Sequence, residues 1–380
     1  MTAVDPARVR ELTLELVRVE SPTGETRAAS ELYARRLEEL GLEVELRRDA
    51  FPATPTVIGL LRGDRPGPRV VLNGHLDTVP VPHEGPPRVE GDRVYGRGAA
   101  DMKGALAAAA EAARVLREGG GFAGELAIVA IGLHEAPGGR GEDLAHLLET
   151  GFTADYAVVC ELTQPGKVVV THMGQATAEI EISRPGMPTH ELQTPPGTPH
   201  PILAAGRVIE AIRRRNEELA RAEHPWVGAE TYFLGEVHGG DFYNRHPSRC
   251  RLVGTRRWAP GNTLEAVERE YRDLLAGVAA ATGCAIELDL RLVRGAYAID
   301  PGHPLVVALR DAHREVTGSG LDPVGWKVVA DGALWSAAGI PTVYHGPVGA
   351  GAHADVEHVE AAELVRAARV YVALLRRLLR

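Results

Sequence analysis

The sequence is short of cysteine, lysine and long apolar runs, and each shortage excludes something. Its three cysteines, Cys160, Cys250 and Cys284, are scattered singly. They give no disulfide framework and suit a reducing compartment. Lysine occurs only at 103, 167 and 327, and the formal net charge is -9. Phosphate binding wants a basic surface, so nucleic acid is not the expected partner. No apolar run is long enough to span a membrane. The stretch from Met1 to Glu20 carries charges throughout and lacks the apolar core of a signal peptide. A cytoplasmic protein with no membrane partner is the expectation. What remains is ordinary: 380 residues, 44% hydrophobic and 24% charged, enough for two domains with cores of their own.

The informative stretch runs from Val70 to Glu161. The apolar run Arg69–Leu72 ends just before His75, and Leu126–Ile131 ends just before His134 and Glu135. Tyr156–Cys160 ends on Glu161. Short apolar runs alternating with helical segments read as buried parallel strands. In such sheets chemistry gathers beyond the carboxyl ends of the strands. Asp101 opens an alanine-rich segment, Met102 to Glu118, that reads as a helix starting on the same rim. A fourth run, Pro341 to His345, aims at the rim too, ahead of a glycine-rich loop that leads to His353.

Between these blocks the rhythm changes. Ala176–Ser183, Glu230–Val237, Ser248–Arg257 and Cys284–Leu292 read as strands, with helical segments at 199–223 and 263–282. That order is β-α-β-β-α-β, a split βαβ pattern. The expectation is an α/β protein. Its discontinuous catalytic domain, residues 1–173 and 295–380, has a mixed, largely parallel sheet flanked by helices and brackets an inserted α+β ferredoxin-like domain at 174–294. Gly325 to Val329 reads as a further strand of the bracketing domain.

His75, Asp101, Glu135, Glu161 and His353 form a nitrogen and oxygen donor set without thiolate. Such a set suits zinc, cobalt or manganese. Five donors exceed the need of one catalytic zinc but suit two ions sharing a carboxylate, roughly 3.5–4 Å apart. Asp77, two residues past His75, is placed to accept the other ring proton and fix the tautomer. Each residue also has a plain reading alone: Asp101 as a helix N-cap, His75 as a loop histidine, Glu161 as a solvated strand end. Four strand ends each followed by a metal-type residue are a pattern that chance does not readily supply.

The chain resembles the M20 family of metallopeptidases and amidohydrolases. The segments that carry the resemblance are Gly74-His75-Leu76-Asp77-Thr78-Val79-Pro80, Arg97-Gly98-Ala99-Ala100-Asp101-Met102-Lys103-Gly104, Glu161-Leu162-Thr163, and Gly346-Pro347 through Ala352-His353 to Glu357. The resemblance implies that His75 and Glu161 hold one divalent ion, zinc first, that Glu135 and His353 hold a second, and that Asp101 bridges them. It implies that the insert is a lid and dimerisation domain, hence a homodimer. Its substrates would be small N-acyl amino acids or dipeptides, with amide hydrolysis next to a free carboxylate. An N-acyl-amino-acid deacylase is the first expectation and a dipeptidase or carboxypeptidase the second.

The sequence departs from the family at one point. The family has two adjacent acidic residues after the third strand, a general base and then a ligand. Here the pair is His134-Glu135. Imidazole, with an unperturbed pKa of about 6.5, can take the proton of an attacking water, so His134 is the expected base. The alternative is a catalytically silent member that binds a small amide. In the insert, His190 matches the family's oxyanion-stabilising histidine, although Glu191-Leu192 replace the small residues that usually follow. Asn244 and Arg257 fall where family members contact substrate, and an arginine fork suits a carboxylate. The plain readings are a surface loop histidine and an arginine in a strand-end ion pair.

Overall fold

The run Val70–Leu72 sits inside a longer strand, Arg65–His75, at the middle of a mixed sheet. The computed structural model describes residues 3–136 and 138–380. The chain divides into two compact units. One is Met1–Val170, Ile299–Val324 and Ala330–Arg380; the other is Thr171–Ala298 with Gly325–Val329.

In the first unit the sheet order is Glu43–Arg47, Thr56–Arg62, Ala123–Ile131, Arg65–His75, Tyr156–Val159, Thr342–Tyr344 and Lys167–His172. The strands from Ala123–Ile131 to Thr342–Tyr344 in that order run parallel, and the outer ones are antiparallel. Val70, Val71, Leu72, Ile128, Val129 and Val158 are fully buried, as expected of parallel strands covered on both faces. The register brings the carboxyl ends level. His75 pairs with Ile131, Leu76 N–H donates to Ile131 O at 2.8 Å, and Cys160 N–H donates to Asn73 O at 2.8 Å. His345 N–H completes the rim by donating to Val159 O at 3.0 Å.

The alanine-rich helix is Gly104–Glu118, and every residue from Gly104 to Leu116 is buried. Helices Pro6–Arg18 and Ala361–Leu378 pack against it. Alanine combines high helix propensity with a side chain short enough for close approach on every side. The helix starts later than the sequence predicts. Ala99–Lys103 forms one wide turn in which Asp101 (φ -124, ψ 90) and Met102 (φ -136, ψ 30) leave helical geometry, and the Asp101–Met102 peptide is cis. Asp101 is therefore neither the first residue of the helix nor its cap. Gly104 has to be glycine, because a Cβ there would lie 2.5 Å from Ala99 O.

The second unit has strands Gly174–Ser183, Thr231–Gly239, Arg249–Trp258 and Ala285–Arg294, with helices Pro201–Leu219 and Leu264–Thr282. The sheet order places Arg249–Trp258 and Gly174–Ser183 in the middle, Thr231–Gly239 and Ala285–Arg294 at the edges, all antiparallel. That is the ferredoxin-like order. Burial alternates residue by residue along Gly174–Ser183, because only one face of the sheet meets the helices.

Two boundaries differ from the sequence expectation. The second unit begins at Thr171 and ends at Ala298, because His172 and Thr171 pair with Tyr297 and Ala298. The strand expected at Gly325–Val329 lies three residues earlier and joins the large sheet by pairing with Lys167–His172. The strand there is Asp322–Trp326, and from Gly325 the chain joins the second unit, where Met173 N–H donates to Trp326 O at 3.2 Å.

Candidate metal centre

The rim brings five of the predicted side chains together in two clusters that share one carboxylate. In the first, His75 Nε2 lies 3.2 Å from Asp101 Oδ1 and 3.6 Å from Glu161 Oε1. In the second, His353 Nε2 lies 3.4 Å from Asp101 Oδ2 and 3.1 Å from Glu135 Oε1. Asp101 thus presents one oxygen to each. Donor atoms of His75, Asp101 and Glu135 all lie within 4.8 Å of one another. His75, Glu135 and Glu161 are buried, while the His353 side chain is 53% exposed. His353 has φ 62, a left-handed conformation uncommon for a residue with a Cβ.

Each donor is held from behind. His75 Nδ1 faces the Asp77 backbone carbonyl at 2.9 Å. The expectation that the Asp77 carboxylate takes that ring proton is corrected here: its Oδ1 stands at 3.5 Å. Its Oδ2 accepts instead from His134 N–H (3.0 Å), Glu135 N–H (2.8 Å) and the Thr23 hydroxyl (2.9 Å). Asp77 therefore anchors the turn that carries His134 and Glu135. Glu357, quoted in a matching segment but given no role by sequence reasoning, does the same for Asp101. Its buried carboxylate accepts from Gly98, Ala100 and Asp101 N–H at 3.1, 2.9 and 3.0 Å and from Arg97 Nη1 at 2.8 Å.

The electrostatics show a centre short of positive charge. Burial pushes the Glu161 carboxyl up, the Asp101 charge adds to it, and the pKa reaches about 7. Burial also pushes Asp101 up, but the hydrogen bonds of His353 and His75 outweigh it and hold the group below the carboxylate range. The His353 hydrogen bond to Asp101, with the nearby Glu135 charge, raises that imidazole to about 9. Burial opposes charge on His75, yet Asp101, Glu161 and Asp77 together raise its pKa well above the usual value. Glu161 Oε1 is buried and has no hydrogen-bond partner. An orphaned carboxylate oxygen of this kind needs an explanation. A divalent ion between His75, Asp101 and Glu161 supplies one, so the donor set fits a metal.

His134 sits beside this set. Its ring stacks on that of His75, with centroids 4.1 Å apart and planes 1° from parallel. Its Nε2 is 3.5 Å from Glu161 Oε1, and its Nδ1 is 2.7 Å from Asp331 Oδ2. Burial lowers the His134 pKa, but the Asp331 charge prevails and brings it to about 9. Asp331 was missed by sequence reasoning. In sequence it reads only as the first residue of a short helix, 331–338.

His190, Asn244 and Arg257 lie in the second unit. The Asn244 side-chain amide is 3.3 Å from His190 Nε2, and Glu191 N–H donates to Asn244 O at 3.0 Å. Arg257 Nη1 donates to Lys327 O at 2.6 Å, so this arginine bonds a carbonyl there. Partial burial lowers its pKa. No helix among the described residues is long and apolar enough to cross a membrane.

The profile of Peptidase family M20/M25/M40 matches residues 71–377. The chain is 28% identical to N-formyl-4-amino-5-aminomethyl-2-methylpyrimidine deformylase of Halalkalibacterium halodurans, covering 91% of this chain and 88% of that one. It is also 28% identical to succinyl-diaminopimelate desuccinylase of Methylobacterium radiotolerans, covering 96% and 95%. The fold superposes with a TM-score of 0.76 on a dinuclear metal-binding peptidase of the M20 family from Bacillus subtilis, at 17% identity and 98% coverage of both chains.

Proposed function

Since the chain belongs to peptidase family M20/M25/M40, whose members are metal-dependent hydrolases, we propose that it cleaves an amide bond beside a free carboxylate, with N-acyl amino acids as the substrate class. The observation that carries this reading is Asp101, whose two oxygens face two separate imidazole and carboxylate clusters. His75, Glu161 and Asp101 would hold one ion, and Glu135, His353 and Asp101 the other. Zinc is the first candidate, and the same donors accept cobalt or manganese. When bound, the pair supplies Lewis acidity and a nucleophile near neutral pH.

The remaining steps fall to the chain's own residues. His134 accepts the proton of the attacking water and passes it to the leaving amine. Asp77 holds the backbone of His134 and Glu135 so that both side chains keep their places. By resemblance we assign His190 to the developing oxyanion and Asn244 and Arg257 to the substrate's carbonyl and carboxylate. The deformylase and desuccinylase names of two relatives favour removal of an acyl group. A homodimer through the second unit is part of the same proposal. The edge strand Thr231–Gly239 of that unit exposes Phe233 and Val237, and sedimentation velocity tests it.

The deciding experiment is a panel of formyl-, acetyl- and succinyl-amino acids and dipeptides, assayed on protein loaded with zinc, cobalt or manganese. Turnover confined to dipeptides moves the assignment to a peptidase. No turnover with two ions bound leaves a binding protein. His134→Ala with its metal content retained tests the base, and unchanged turnover removes His134 from the mechanism.

A further inference from the structure

We propose that Asp331 is a positioning residue that selects which nitrogen of His134 carries the lone pair. This rests on the reading of His134 as proton acceptor. Asp331 precedes the helix Gly332–Ala337 and occupies the place where an aspartate ordinarily caps its own helix. Its side chain makes no such capping bond. The carboxylate is directed elsewhere: Oδ2 lies 2.7 Å from His134 Nδ1, with the Asp331 side chain 1% exposed.

Three constraints then fix the His134 ring. Its backbone N–H donates to Asp77 Oδ2. Its plane is set by the parallel stack on His75 at 4.1 Å. A stack does not distinguish the ring from its flipped form, and the Asp331 bond does. An ionised carboxylate only accepts, so Nδ1 carries the proton and the neutral ring has its lone pair on Nε2. That nitrogen is the one near Glu161 Oε1, at 3.5 Å. A ring nitrogen of His134 lies within 4.8 Å of donor atoms of His75 and Glu161, and on this reading the Nε2 lone pair takes a proton.

A purely structural ion pair is the competing explanation, and two readouts separate it from positioning. The first is the nitrogen-15 spectrum of the histidine rings in zinc-loaded full-length protein, with His134 identified by its loss in His134→Ala. The expected result is a His134 ring protonated at Nδ1 in the wild type, and a shift toward protonation at Nε2 in Asp331→Asn. The second is kinetic. Asp331→Asn should lower kcat by about 10²- to 10⁴-fold, with KM and bound zinc unchanged, and Asp331→Glu should recover part of the loss. Protonation at Nε2 in the wild type overturns the proposal without recourse to any variant. A folded, zinc-loaded Asp331→Asn enzyme with kcat within threefold of wild type also overturns it. Turnover surviving His134→Ala would instead sink the base assignment, while the ring spectrum would still report whether Asp331 holds the tautomer.

Discussion

Asp77 offers the most direct test of how the centre is held, because its two candidate roles predict different losses. If the carboxylate served mainly to orient His75, its removal would leave the backbone carbonyl of residue 77 to do that work at 2.9 Å, and stability would change little. The geometry says otherwise. Asp77 Oδ2 accepts three hydrogen bonds, from His134 N–H, Glu135 N–H and the Thr23 hydroxyl, in a fully buried setting. Hydrogen bonds to a charged group contribute about 1.5–3 kcal/mol each. Part of that offsets the desolvation of the carboxylate, so Asp77→Ala, which strands two backbone N–H groups and one hydroxyl at about 1–3 kcal/mol each, should cost about 3–5 kcal/mol. Asp77→Asn keeps an acceptor oxygen but loses the charge, which roughly halves each bond, and should cost about 1.5–2.5 kcal/mol. The assay is denaturant unfolding of metal-free protein, followed by zinc titration of each variant. Metal-free protein is the right sample, because bound zinc would add its own stabilisation. The Ala variant should also bind its second ion more weakly, since Glu135 loses its anchor. An Ala variant within 1 kcal/mol of wild type would refute the anchoring argument.

Metal binding should weaken as pH falls. The His353 hydrogen bond to Asp101 raises that imidazole to about 9, and burial with the Asp101 charge raises Glu161 to about 7. Below those values an entering ion must displace a proton, so apparent affinity drops roughly tenfold per pH unit for each proton displaced. Calorimetric titration at pH 8 in buffers of different ionisation heat should show at least one proton released per pair of ions, and none released would contradict the raised pKa of His353. Gly346→Ala should destabilise the fold by about 1–3 kcal/mol and lower metal content. A Cβ there would lie 2.3 Å from Glu161 O and 2.5 Å from Cys160 O, and backbone cannot give way as a side-chain tip can. Unfolding midpoints and metal analysis check it.

Much of the rim was legible because strand periodicity is local. An apolar run fixes where a parallel strand ends, and the residue beyond it faces the rim whichever strand lies alongside. His75, Glu135 and Glu161 meet for that reason. The insert was legible through its alternation, as in Gly174–Ser183. Its limits were not, because Lys167–His172 runs without a break from one unit into the other and Gly325–Val329 rejoins the second. No change of periodicity marks either crossing. Asp331 escaped for a different reason. Read as the first residue of a helix, an aspartate has a sufficient local explanation in the helix start, and only the distance to His134, far away in sequence, shows where its carboxylate is directed.

The buried charge makes the case for cations independently of any motif. Asp77, Asp101, Glu135, Glu161, Asp331 and Glu357 crowd the rim, each buried or nearly so. Arg97 answers Glu357. Lys103 is buried nearby, but burial depresses it to about 7, and its ammonium donates to Leu16 O and Val19 O at 3.1 and 2.8 Å instead of to a carboxylate. Without ions, the balance falls to protons on His75, His134 and His353, whose pKa values are raised for that reason. A chain that keeps so many carboxylates out of water must compensate them. Two divalent ions would do so at positions where donor atoms already converge, and on the proposed reading they would leave the imidazoles deprotonated, His75 and His353 as ligands and His134 as the base.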